Sequence, residues 1–524
     1  MTTTREPGVR PLPAALSGLL AGCAALATAE LVSVAVRPEA GPIVAVGGAA
    51  VDRTPAPVKD WAIRTFGTQD KLVLQLGILL VLALLAALTG LLAARHRRAG
   101  AAGVLLFGVV GAAAATGRPD SVSFTDALPS LAGAVAGAAL LLWLLWWPRA
   151  ASPEAPDGRP SGWDRRRFLL AASAAAAASA GAGALGRSLG AAGAEDAVAS
   201  RAAVVLPRPR SAAAPVPPGT RLRVPGISPF TTPNRDFYRV DTALVVPKVD
   251  ATRWRLRLHG AGVRTPLTLS FQDLLDRELI ERDITLTCVS NEVGGPYVGT
   301  ARWLGVPLAG LLREAGVRPP SRGGPADQLV ARSVDGMTLG SPVEDVMDGR
   351  DALLAVGMNG EPLPFDHGFP VRMVVPGLYG YVSACKWIQD IELTTFDAYD
   401  PYWVKRDWAR KAPVKTQARI DTPKPFARPA AGTVVVAGVA WAQHRGIDRV
   451  EVRVDDGPWR PAELAAEATT DTWRQWSYRW RATPGSYTLT VRATDRTGET
   501  QTERRTRTVP DGASGWHSVV VAVE

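Results

Sequence analysis

The sequence predicts three architectures in series: an α-helical membrane anchor, an α+β domain and an all-β immunoglobulin-like sandwich. Three observations carry this. Alanine, leucine, glycine and valine crowd roughly the first 190 of the 524 residues, while tryptophan and charge concentrate after residue 250. Between about 223 and 410, strand-like and helix-like stretches alternate without the regular spacing of a doubly wound sheet. From about 412, short strand-like runs separated by turn signals repeat at sandwich spacing. The length allows about three units of ~100–200 residues.

The anchor follows from apolar run length, since a spanning helix needs about 20 mostly apolar residues. Leu12–Val36 qualifies, with Glu30 near its far end, as do Leu72–Ala94, the shorter Gly-rich Ala99–Thr116, Leu128–Trp147 and the Ala/Gly-rich Phe168–Gly186. The fourth run ends in Trp-Leu-Leu-Trp-Trp, an aromatic belt suited to an interface. Arg95, Arg97 and Arg98 lie between the second and third runs, and Arg149 with Arg165–Arg167 between the fourth and fifth. The positive-inside bias puts both loops and the N-terminus in the cytoplasm and everything beyond about 190 outside. Residues 1–150 therefore read as a four-helix transmembrane region. Residues 151–190 read as a cytoplasmic loop with the fifth helix, and 191–222, rich in Ala, Pro and Arg, as an extended linker.

Asp164-Arg165-Arg166-Arg167-Phe168-Leu169 resembles a twin-arginine export signal, a route for domains already folded around a cofactor; an ordinary basic helix flank would look similar. His96 is the only histidine before His259, and it sits in a loop, so no haem is expected in the bundle. The net charge of +10 is scattered, which argues against a nucleic-acid partner and leaves the membrane lipid as the partner of the first part. Of three cysteines, only Cys288 and Cys385 fall in the soluble part, so at most one bridge could form there.

In the α+β domain, Trp254–Leu258, Ile284–Thr287 and Val371–Val375 read as strands. Ser270–Arg277, capped by Ser270 with Asp273 in its first turn, and Pro307–Ala315 read as helices. In the sandwich, 411–524, the strands are Thr433–Val439, Ile447–Val454, Arg474–Trp480, Ser486–Ala493 and Glu499–Val509, with Trp473, Trp476 and Trp480 supplying the core.

Three segments carry chemistry. Cys288 stands where the strand Ile284–Thr287 runs into a polar, Gly-containing turn; a thiolate there suits a soft metal, though a small buried cysteine would look the same. His367 precedes Gly368, and Arg372 opens an apolar strand, where a guanidinium needs solvent or an anion such as phosphate. His367 could equally make a structural hydrogen bond. A glycine-bearing loop leads to Ala384-Cys385-Lys386-Trp387, with Cys385 placed for packing and Lys386 as a further cation near backbone N–H groups.

Together these segments resemble the molybdopterin-binding domain of the sulfite oxidase family, in its membrane-anchored bacterial type. The carriers are Thr232-Pro233-Asn234 with Phe237-Tyr238, then Cys288, then the long run Met358 to Arg372 containing Pro362-Leu363-Pro364 and Asp366-His367-Gly368, then Lys386-Trp387. The sandwich resembles the family's dimerisation domain through Gly438–Trp441, Ile447–Val452 and Asp455-Asp456-Gly457. The resemblance implies a molybdenum-molybdopterin cofactor with Cys288 as the protein ligand to the metal. It places Asn234, Tyr238, Arg239, Ser333, His367, Arg372, Ala384, Cys385 and Lys386 around the pterin and its phosphate. It implies a homodimer through the C-terminal domain.

Departures bear on substrate. Sulfite oxidases carry arginines where this chain has Val240 and Val293, and a tyrosine where Lys405-Arg406-Asp407 is followed by Trp408. A small dianion thus loses cationic contacts, and another oxyanion, a sulfoxide or an N-oxide fits as well as sulfite. Without a cytochrome b5-like segment, electrons would pass to a separate cytochrome or quinone-linked protein. Two other readings stay open: a Cys288/His367 hydrolase, and a non-catalytic extracellular binding module with a vestigial cofactor site.

Overall fold

In this computed structural model the described residues are 11–54, 58, 65, 70–118, 121, 123–146, 165–243 and 245–524. They fall into two units, Met1–Asp196 with Ala243–Val245, and Ala197–Thr242 with Val246–Glu524. The final tryptophan of the aromatic belt, Arg149 and Asp164 lie outside the described residues.

The first unit is helical: α1 Pro11–Val36, α2 Pro42–Arg53, α3 Asp70–Arg95, α4 Arg97–Thr116, α5 Leu128–Trp146 and most of α6 Arg165–Ala203, whose residues from Ala197 on belong to the second unit. Five stretches are long and apolar enough to cross a membrane: Pro11–Val36, Val73–Arg95, Arg97–Thr116, Phe124–Leu145 and Phe168–Gly186. These are the runs read from composition. Leu76, Leu80, Leu84 and Leu88 repeat every fourth residue on α3 and are exposed, as a lipid-facing stripe requires. Inside, small residues set the packing: α1 lies against α3 and α5, and a Cβ on Gly18 or Gly133 would run into the Ala86 or Ala25 carbonyl. The linker expectation fails at its start. Residues 191–203 continue α6 because the run is mostly alanine, the strongest helix former; the extended backbone begins after Ala203.

The α+β part of the second unit contains β1 Arg255–Gly260, β2 Leu267–Ser270, β3 Ile280–Thr287, β4 Val298–Pro307, β5 Gln328–Ser333, β6 Thr338–Pro342, β7 Leu353–Met358, β8 Glu361–Pro362, β9 Arg372–Val374 and β10 Ile388–Thr394. Short helices α7 Phe271–Leu275, α8 Leu308–Glu314, α9 Val343–Met347 and α10 Gly380–Ser383 connect them. Ser270 caps α7 with a full capping box to Asp273. One sheet runs β2-β1-β10-β5-β6, and the other β3-β4-β7-β8 with β9 on β7. Only β1 and β10 pair in parallel among the α+β strands; the rest are antiparallel, consistent with an α+β rather than a doubly wound fold.

The sandwich adds β11 Gln417–Thr422, β12 Gly432–Trp441, β13 Ile447–Val454, β14 Arg460–Pro461, β15 Glu463–Leu464, β16 Arg474–Ala482, β17 Gly485–Asp495 and β18 His517–Val523. Its sheets run β11-β12-β16-β15 and β14-β13-β17-β18. Glu499–Val509 is not a strand: it makes only single bridges, Thr494 to Thr500 and Thr506 to Ser514. The last strand is β18 instead, whose apolar alternation at Val519, Val521 and Val523 fills the core. Trp476 and Trp480, four residues apart on one face of β16, enter that core. Trp473 does not. It precedes β16, joins the α+β core and donates its indole N–H to Phe230 O at 2.8 Å.

The sandwich thereby grips the strand that leads to Cys288. Gln443 Nε2 donates to Thr287 Oγ1 at 2.8 Å, Thr285 N donates to Asp471 O at 2.8 Å, and Arg419 Nη1 donates to Gly295 O at 2.7 Å. Gly294, at φ 79°, lies against the His517 ring with no room for a Cβ.

Trp476 is fully buried, so Trp476→Ala is expected to cost about 3–5 kcal/mol. Denaturant unfolding of the full chain, followed by far-UV circular dichroism, checks this; a change below about 1 kcal/mol would contradict the core assignment.

Candidate functional site

The candidate residues come from the ends of both sheets. Cys288 follows β3, Arg372 opens β9, Ser333 ends β5, and Ala384–Lys386 lie between α10 and β10. Backbone bonds knit these ends together: Met373 N donates to Cys385 O at 2.9 Å, Val334 N to Trp387 O at 2.9 Å, and Ile388 N to Val371 O at 3.2 Å. Gly368, at φ 108°, lets the 365–368 turn close on Lys386, whose Cα would stand 3.0 Å from a Cβ there.

A cavity of about 110 Å³ opens among these ends. Seven expected residues line it: Tyr238, Cys288, Ser333, Arg372, Ala384, Cys385 and Lys386. Asn234, Arg239 and His367 do not. They stand behind it as a brace. His367 Nε2 faces Asn234 O at 2.9 Å, an acceptor, so that nitrogen carries the proton. Arg239 Nη1 donates to Asp366 Oδ1 at 3.0 Å, and Asn234 Oδ1 accepts from Asn359 Nδ2 at 2.8 Å. This placement leaves the Cys288/His367 hydrolase without its base, because His367 does not line the cavity that holds Cys288.

Arg372 is the decisive group. It is 6% exposed, and among the described residues it has no carboxylate partner. Its Nε has no hydrogen-bond partner, its Nη1 reaches His367 O only at 3.5 Å, and its plane lies 5.3 Å from the Trp303 ring. Burial pulls its pKa down to about 10. A buried, under-bonded guanidinium is costly unless an anion meets it. Ser333 Oγ is likewise buried without a partner.

Cys288 is a free thiol, as is Cys385. Burial raises the Cys288 pKa; the Ser290 backbone and hydroxyl, then Lys386, act against it. A thiolate at this position is thus favoured only when a cation arrives. Among the described residues no group of three or more His, Cys, Asp or Glu side chains gathers to hold a metal. A metal at Cys288 would have to bring most of its ligands with it. Burial also raises the Tyr238 and Cys385 pKa values well beyond their ordinary ranges, so Tyr238 offers a neutral hydroxyl. These features fit an anionic group that carries a soft metal.

Sequence reasoning missed several lining residues. Lys386 Nζ meets Asp241 Oδ2 at 2.9 Å, a pair made 145 residues apart, and Asp335 and Trp403 also line the cavity. Asp335 lies two residues after Ser333 in a Val-Asp-Gly turn, a local polar signal that could have marked it. Trp387, at φ 51°, holds a left-handed backbone beside Lys386 and is fixed by its indole N–H donating to Phe365 O at 2.9 Å.

Comparisons with known proteins bear on this site. The family described as "Oxidoreductase molybdopterin binding domain" matches residues 243–403, and "Bacterial Ig domain" matches 417–491. Mitochondrial sulfite oxidase of Mus musculus is 32% identical over 291 residues, covering 48% of this chain and 53% of the mouse protein. The Homo sapiens sulfite oxidase is 30% identical, covering 50% of this chain and 55% of the human protein. The chain therefore spans about half the length of these relatives. The uncharacterised oxidoreductase YuiH of Bacillus subtilis is 31% identical over 159 residues, covering 30% of this chain and 74% of YuiH. The structure of sulfane dehydrogenase SoxCD from Paracoccus pantotrophus is similar at 26% identity with a TM-score of 0.49, over 57% of this chain and 84% of that chain.

The histidines give a pH prediction. Burial, and then Arg372, hold the His367 pKa down to about 4; burial, and then Arg419, do the same for His517. Above the unfolded value near 6.5, neither contributes to the pH slope. As pH falls from there toward 4, the unfolded chain takes up protons that the fold excludes, and stability drops. Urea midpoints should fall between about pH 7.5 and about pH 4, and His367→Asn should make the fall shallower. An unchanged slope in the variant would show that His367 titrates normally.

Proposed function

This chain belongs to the sulfite oxidase family of molybdopterin-dependent oxidoreductases, and from that premise we propose a membrane-anchored enzyme that transfers an oxygen atom at a Cys288-ligated molybdenum on the outer face. Family membership implies a molybdenum cofactor. The observation that carries the reading is Arg372, a buried guanidinium with an unpartnered Nε on the same cavity as a free thiol.

When bound, the cofactor supplies a metal whose oxidation state changes by two electrons as oxygen is exchanged with substrate. In balance, substrate and water give oxygenated substrate, two protons and two electrons, or the reverse. The protein's part is to hold and orient. Cys288 would give the metal a thiolate. Arg372 and Ser333 would meet the phosphate, the 384–386 segment would contribute backbone and the Lys386 charge, and the Tyr238 hydroxyl would donate. Asn234, Arg239 and His367 fix the turn behind them.

Substrate and partners follow from the departures. Val240 and Trp408 line the cavity, and Val293 is buried, so the cationic capture of sulfite is absent from these positions. Sulfite, another oxyanion, a sulfoxide or an N-oxide remain the candidate substrates. Electrons pass to or from a separate cytochrome or quinone-linked protein, because the helical unit has only His96 to offer a haem. The five apolar helices support the anchor, the arginine clusters an outward-facing enzyme, and the Arg-Arg-Phe-Leu sequence twin-arginine export after cofactor loading. The sandwich is the surface for a homodimer.

Cys288→Ser, made in a host that assembles the cofactor, should lower molybdenum per chain by at least about tenfold and abolish the metal's redox titration. Arg372→Met should lower pterin content as well. A Cys288→Ser protein with full metal and an unchanged metal spectrum would refute the ligand assignment.

A further inference from the structure

The charges on the cavity constrain what it takes beside the cofactor. Its described lining carries two cations, Arg372 and Lys386, and two carboxylates, Asp241 and Asp335. Lys386 is paired with Asp241 at 2.9 Å, with side-chain exposures of 9% and 4%. Arg372 is engaged by the cofactor's anion in the reading above. The lining then holds no further guanidinium or ammonium for a second anion.

One part of the remaining wall is aromatic, beside small polar and aliphatic residues such as Thr242, Ser290 and Leu339. Trp403 and Trp408 are half-buried, with ring centroids 6.1 Å apart at 78°, and Tyr381 packs on Trp408 at 5.6 Å. Val240 lies on the same cavity. The wall is preformed by its backbone. The turn Val404–Arg406 and Asp407 at φ 66° double the chain back, and Trp408 N donates to Trp403 O at 3.2 Å. The Tyr381 hydroxyl donates to Ala409 O at 2.7 Å, locking the third ring to the same turn. The cations of that turn go elsewhere: Lys405 Nζ lies 5.2 Å from the Tyr399 ring and Arg406 stacks 3.5 Å over Tyr402, and neither lines the cavity.

We propose that the substrate is an uncharged molecule whose reacting sulfur or nitrogen bears an apolar or aromatic substituent, packed against Trp403, Trp408 and Tyr381. The inference rests on reading the cavity as the cofactor site. A compact dianion would meet indoles and Asp335 with no charge-assisted partner, whereas an aryl or alkyl group buries apolar area against preformed rings.

The test uses the full chain purified with its cofactor, metal content verified first, and calorimetric titration with methyl p-tolyl sulfoxide and with sodium sulfite. The aryl probe is expected to bind saturably, and sulfite at least about tenfold more weakly. Trp403→Ala and Trp408→Ala should each weaken the aryl probe by about tenfold or more while metal content stays at the wild-type level. Val240→Arg, which places a guanidinium on the cavity, should strengthen sulfite binding and decides the matter if the tryptophan variants lose metal. Tighter binding of sulfite than of the aryl probe, no saturable aryl binding to loaded protein, or aryl affinity indifferent to both tryptophan substitutions overturns the proposal. Failure of the cofactor reading looks different: wild-type protein from a competent host would contain neither metal nor pterin, which overturns both.

Discussion

A guanidinium held below the surface with an unsatisfied N–H draws the surrounding structure into a definite role. Arg372 sits at the first residue of β9, beside the buried Phe369, Val371 and Met373, and among the described residues it forms no ion pair with a carboxylate. Leaving a buried charge unpaired costs several kcal/mol in general. In the proposed function, an anion from outside completes the site and offsets that cost. Ser333 Oγ, also buried without a partner, has the same logic at lower charge. Cys288 has its mirror image: a buried thiol that becomes a good ligand only when positive charge arrives. One group that brings both a phosphate and a metal satisfies all three at once.

The same requirement explains why the site is built from strand ends and braced from the sandwich. Strand ends are fixed by their ladders, β3 on β4, β9 on β7 and β5 between β10 and β6, which holds the thiol, the guanidinium and the Ser333 hydroxyl in place. The sandwich reaches across to the β3–Cys288 stretch through Gln443, Asp471 and Arg419, and Trp441 and Trp473 merge its core with that of the α+β domain. A fused core of this kind resists relative motion of its halves far better than a polar interdomain contact.

Much of this was legible in the sequence. The five apolar runs, the cap at Ser270, the strand leading to Cys288 and the Asp-His-Gly turn before Arg372 are local patterns, and local patterns survive into the fold. What was not legible depends on partners far along the chain. The Lys386–Asp241 pair, the diversion of Trp473 into the neighbouring core, and the position of His367 behind the cavity each join segments more than 100 residues apart. Two errors were of another kind. Alanine-rich 191–203 looked like a linker because proline follows it, yet alanine propensity won and α6 ran on. Glu499–Val509 alternates like a strand, but the free edge of β17 was taken by β18.

Among the described residues of the helical unit, close-packed small residues set the interior and leucines the outer stripe. The chemistry therefore rests on the cavity in the second unit. Its central claim is that a molybdenum-pterin group completes Arg372, Ser333 and Cys288. Elemental and pterin analysis of the wild-type full chain, purified from a host able to make the cofactor, tests that most directly. Roughly one molybdenum and one pterin per chain are expected; folded protein with an intact Cys288 that contains neither would contradict the assignment.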